Sequence, residues 1–239
     1  MTTKNNSMTT EQFEILITFF GAFFGAFFAF IFMLKIEQGH RNEEIKNALF
    51  EISVRSSVDN EIAIDKNISI IGSLQKGISE NSSFYYPFGG FCLFQKNSSA
   101  VLNKLGGIDL MFKIIDFDYK TQKINQEMND IGKPFLGKNL IKEKDSNSFF
   151  NGETYFDSDS YANDLLEKKH ALEMLEEDNI KILVRTNTLL KKKNKGVFFR
   201  LFQNDKVTDN DIENEQIEIE QFKEVYKKRR EPKINTTNL

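Results

Sequence analysis

Two histidines and one cysteine are the side chains of this 239-residue chain best suited to metal or nucleophilic chemistry. They are His40, His170 and Cys92. A zinc site wants three or four nitrogen, sulfur or carboxylate ligands that converge. One cysteine and two distant histidines do not supply them. A catalytic histidine needs an orienting partner, and neither has one at a useful spacing. Asp157, Asp159 and Asp164 suggest a calcium loop, but its sixth position is Ala162, where glycine is needed. The twelfth is Lys168, where glutamate is needed. These acids read instead as the negative charge a helix prefers at its start. Glu173, Glu176 and Glu177 cluster on helical sequence, where carboxylates usually face solvent. No phosphate-cradling G-x-x-x-x-G-K-[ST], no G-x-G-x-x-G and no G-x-S-x-G occurs. The expectation is therefore a protein without enzymatic activity, cofactor or metal.

Charge gives no further direction. The formal net charge is −3, so no overall positive field favours nucleic acid, and no nucleic-acid partner is expected. Two basic runs, 191–195 and 227–230, stand out. They suit helix C-termini, whose dipole favours cations, better than a lipid surface. A single cysteine permits no intramolecular disulfide.

The strongest pattern is apolar. From Ile15 to Leu34 the chain runs twenty residues without a charge. A helix of that length reaches ~30 Å, the thickness of a bilayer's hydrocarbon core. Lys35 and Glu37 follow directly, with no small-x-small cleavage site, so a signal peptide fits poorly. Lys35, Arg41 and Lys46 flank one end and Lys4 the other. The positive-inside rule then places the N-terminus outside and the C-terminal domain in the cytoplasm. Within the span, Gly21, Gly25 and Ala29 recur every four residues, with Ala22 and Ala26 beside them. Small residues at this spacing let helix backbones approach in lipid. They form the candidate helix-packing face, for a second copy or for another membrane protein.

The remaining chain reads as helices. Ile45, Leu49 and Ile52, then Ile64, Ile68, Ile71 and Ile78, mark one stripe, with a break expected near residues 55–60. Residues 81–97 hold an aromatic, turn-rich link around Pro87. Val101, Leu105, Ile108, Phe112, Ile115 and Tyr119 alternate spacings of four and three, as a helix-packing face does. Leu165, Leu172, Leu175, Ile182 and Leu189 mark another face. Thr208 and Asp211 resemble a capping box ahead of Ile212, Ile219, Phe222 and Tyr226.

The expected class is all-α: one N-terminal transmembrane helix followed by an antiparallel helical bundle. Its parts are a flexible tail at 1–12, the span at 13–36, a helical hairpin region at 37–130, a long loop at 131–159 and C-terminal helices at 160–239.

After the span, the segments NALFEI, NEIAIDKNISII, YYPFGGF and LNKLGGIDLMFKIIDFDYKTQKIN follow in order. This arrangement resembles a broad group of prokaryotic membrane-anchored helical proteins of unknown function, some of them encoded among antiviral defence genes. The likeness covers roughly residues 10–130. It implies a prokaryotic inner or plasma membrane and carries no catalytic residue across. Two functional expectations result. One is a membrane-tethered interaction protein that assembles through its span and helical domain. The other is a membrane effector or sensor whose span oligomerises when a ligand binds, in the setting of antiviral defence.

Overall fold

The computed structural model describes residues 10–80, Phe94, 108–132, 141–142, 148–150, 155–194 and 207–230. The chain divides into two compact units, Met1–Ile45 and Lys46–Leu239. Helix α1 spans Thr10–Val54 and belongs to both by sequence.

In the first unit, α1 carries the apolar stretch. No proline interrupts it, and every main-chain polar group can be satisfied within the helix, as a bilayer demands. None of its most apolar window is buried by the rest of the chain. The phenylalanines stack along the helix, Phe20 on Phe24 at 6.1 Å and Phe23 on Phe27 at 6.4 Å. Helix α1 thus begins at Thr10, inside the tail expected to be flexible, and is long and apolar enough to cross a membrane.

The second unit is an all-α bundle with a small sheet attached. Leu49 and Ile52 near the end of α1 are fully buried. The expected break at 55–60 is a π-helical turn, Arg55–Asn60, which leads without interruption into α2, Glu61–Glu80. Ile64, Ile68 and Ile71 continue the buried stripe along α2. Helix α3 is Ile108–Gly132, and α4, the longest in this unit, is Ser158–Asn194. The last helix, α5, is Asp209–Arg230.

Helix α4 is the hub, packing against α2, α3 and α5. The cross-links between helices give the directions. Lys168 meets Glu127 and Lys120 meets Asp178, so α3 runs antiparallel to α4. Lys192 meets Asp211 and Lys223 meets Glu177, so α5 does too. Ser53 meets Asn187, and Arg230 joins Asp65 to Glu176, which sets α2 antiparallel as well. Leu165, Leu172, Leu175, Ile182 and Leu189, the face read from the sequence, are all buried at this hub. Ile180 and Val184 form a second buried patch with Tyr226, flanked by Ile219 and Phe222.

Three expectations are corrected. Phe112, Ile115 and Tyr119 are exposed; the buried face of α3 is Leu110, Ile114, Phe117, Thr121, Ile124 and Met128. Two stripes of equal spacing lie side by side on this helix. The row that packs regains apolar residues at Ile124 and Met128 after Thr121, whereas beyond Tyr119 the other meets Gln122 and Lys123. Ile212 is also exposed, because α5 turns its first helical turn towards Lys192 through Asp211. The stretch expected to be a long loop contains a meander: β1 Ile141–Lys142, β2 Ser148–Phe150 and β3 Tyr155–Asp157, paired antiparallel in that order. Its strands are two or three residues long, too short to show a period-two pattern. Val101, Leu105 and most of the aromatic link lie outside the described residues, as do the side chains of Ile78 and Ile108.

Candidate functional site on the N-terminal helix

The candidate site is the small-residue face of α1. Gly21, Gly25, Ala22, Ala26 and Ala29 all lie on this one helix and are exposed. Residues four apart in an α-helix share a face, so Gly21, Gly25 and Ala29 form one row, with Ala22 and Ala26 next to it. Bulky neighbours border the row: Phe20, Phe24 and Phe28 are each about half exposed or more. A Cβ placed on Gly21 or Gly25 would meet no atom within 4 Å. Among the described residues, nothing packs against these two glycines. Small residues at this spacing are of the kind that lets helix backbones approach closely.

Of the carboxylates singled out in the sequence, Asp157, Glu176 and Glu177 cap or pair helices, and the two histidines are exposed. Asp157 sits at the start of α4 and accepts a hydrogen bond from the Ser160 amide at 2.9 Å, an N-terminal cap. His170 is exposed, 3.6 Å from Glu173. His40 is exposed on α1. Glu176 is half-buried against Arg230; burial raises its pKa, and the arginine opposes the rise. Glu177 pairs with Lys181 and Lys223, whose hydrogen bonds lower its pKa. Among the described residues no group of three His, Cys, Asp or Glu side chains could hold a metal ion. Cys92 lies outside them.

Both basic runs are engaged. Lys191 pairs with Glu218 at 2.7 Å, and Lys192 with Asp211. At the other end, Arg229 reaches Glu61, and Arg230 reaches Asp65 at 2.8 Å. These charges tie α5 to its neighbours. The capping box at the start of α5 forms as read: the Thr208 amide donates to Asp211, and the Asp211 amide donates back to the Thr208 hydroxyl. Burial resists ionisation of Asp211, but hydrogen bonds from Lys192 and Thr208 outweigh it and hold its pKa at about 2.

One set of residues was missed in the sequence. Ser56, Asn60, Thr121 and Asn179 are 0 to 1% exposed. The Asn179 amide donates to the Ser56 carbonyl at 2.8 Å, so α4 satisfies an acceptor within the π-turn. The signal was in the spacing. Leu49, Ile52, Ser56, Asn60 and Ile64 form one row at intervals of three and four; so do Leu172, Leu175, Asn179 and Ile182. Polar residues occupied core positions in both rows, and a search for apolar residues alone passes over them.

Comparison with family models, with curated proteins and with solved structures finds no match.

Proposed function

We propose that this chain is a single-pass, membrane-tethered interaction protein without enzymatic activity, and that it assembles through the Gly21/Gly25/Ala29 face of α1. The observation supporting this reading is the open space above Gly21 and Gly25 on an otherwise phenylalanine-rich helix. Two such helices meeting along the row could bring their backbones together, and van der Waals packing would hold them. The second copy is the partner we favour, because a small-residue row can match itself across a two-fold axis.

The test follows from the same geometry. A Cβ at Gly25 meets no atom of another part of the described chain within 4 Å, and leucine suits a helix better than glycine. Gly25→Leu should therefore disturb the monomer little, and retained helical circular dichroism checks this beside the assembly state. In mild detergent the native chain should run as an oligomer and Gly25→Leu at the monomer mass. Equal masses for the two would remove this face from the mechanism.

Orientation belongs to the same proposal. Lys35, Arg41 and Lys46 against Lys4 favour, by the positive-inside rule, a bundle in the cytoplasm. In a Cys92→Ser background, Thr3→Cys should react with a membrane-impermeant maleimide on intact cells. Thr237→Cys should react only after permeabilisation. The reverse pattern would invert the topology.

A further inference from the structure

The bundle contains a row of buried polar atoms that no hydrogen-bonding group among the described residues satisfies. They are Ser56 Oγ, Asn60 Nδ2 and Oδ1, Thr121 Oγ1 and Asn179 Oδ1. Each belongs to a residue at most 1% exposed. They come from three elements, the π-turn, α3 and α4, and the cross-links bring these to one level. The Asn179 amide bonds the Ser56 carbonyl at 2.8 Å, which sets the π-turn beside that point of α4. Lys120 pairs with Asp178 at 2.7 Å, which brings α3, with Thr121 as the next residue, to the same level of α4. Ser56 and Asn60 are one turn apart on the same buried side of the π-turn.

Leaving such atoms dry is costly. A buried hydrogen-bonding group without a partner loses ~1–3 kcal/mol, and native proteins leave few of them. Apolar neighbours cannot compensate. Water can, because it donates two hydrogen bonds and accepts two, and buried water usually makes about three. The inventory fits. The Asn60 amide and the two hydroxyls can donate, while Asn60 Oδ1 and Asn179 Oδ1 can only accept. A π-turn is also wider than an α-turn, which favours a gap on its inner side.

We propose that Ser56, Asn60, Thr121 and Asn179 form an internal water-binding layer, in which ordered water bridges the π-turn to α3 and α4. This layer gives the π-turn a purpose. It offers polar groups in an otherwise apolar core, and the hydrogen bonds it supplies fix the register of three helices.

Diffraction from the full-length protein in a lipid mesophase, at a resolution that shows ordered water, tests this. The expected result is density for a water molecule within hydrogen-bond distance of at least two of the four side chains. Direct bonding among those side chains, with no density between them, would overturn the proposal. So would density for an ordered solute other than water. The Asn60→Leu variant provides a second measurement. Its leucine should displace the water bridging from the π-turn while Asn179 keeps its bond to the Ser56 carbonyl. A solvent arrangement unchanged by that substitution would equally overturn it. The native crystal decides alone if the variant does not fold.

Discussion

Asp118 on α3 shows how a single side chain sets a pH dependence. Its carboxylate accepts a hydrogen bond from the Phe94 amide at 2.9 Å, and the Phe94 ring packs on Phe117 with centroids 5.4 Å apart. Burial raises its pKa to about 6, against the pull of the Phe94 amide and the charge of Arg55. A carboxyl that holds its proton more tightly folded than unfolded stabilises the fold when protonated. That stabilisation is complete below pH ~4 and is lost as the pH rises to ~6. Two units would be worth ~2.7 kcal/mol at full burial; half burial reduces this to on the order of 1 kcal/mol. Asp118→Asn keeps the acceptor for Phe94 and removes the charge. It should raise the thermal midpoint at pH 7 by a few degrees and flatten the midpoint's dependence on pH between 4 and 6. An unchanged pH profile would show that the carboxylate ionises freely in the folded chain.

At the scale of one helix, α3 decides between two faces. Phe117 is fully buried and Phe112 is 61% exposed, only five residues apart. Phe117→Ala should cost about 3–5 kcal/mol. Phe112→Ser should stay within ~0.5 kcal/mol, as exposed positions do. Denaturant midpoints of the two variants check this; similar losses in both would mean that Phe112 is covered. The same helix shows what can be read from sequence. The stripes of α2 and α4 were legible because their apolar residues recur at helical spacing along most of each helix, from Ile64 to Ile71 and from Leu165 to Leu189. On α3 two rows compete, and only the apolar continuation at Ile124 and Met128 separates them. The capping box of α5 was legible because it is local, needing only Thr208 and Asp211. The polar layer was not, because its meaning depends on residues more than a hundred positions apart. The small-residue face of α1 could be named from spacing alone; the structure adds that no described residue packs against Gly21 or Gly25.

For the molecule as a whole, the candidate span and the buried core divide along the chain. The apolar stretch lies within Met1–Ile45, and the buried core lies almost entirely within Lys46–Leu239. A unit with its own core can fold by itself. Removing residues 1–36 should therefore move the protein from the membrane fraction to the aqueous one, with its helical circular dichroism and cooperative melting retained. Continued sedimentation with membranes would point to a second anchor in the bundle. Loss of cooperative melting would show that the core needs the N-terminal stretch.

The central place of α4 also has a consequence for synthesis. The helix that α2, α3 and α5 pack upon ends at Asn194, late in a chain of 239 residues. While the ribosome works through the first half, Ile64, Ile71, Leu110 and Phe117 have no hub to cover them. The apolar stretch of α1 precedes every helix of the bundle, so it leaves the ribosome before the bundle is able to close. Closure of the bundle around α4 is then a nearly post-translational event. During that interval its exposed apolar rows are open to chaperones and to neighbouring nascent chains.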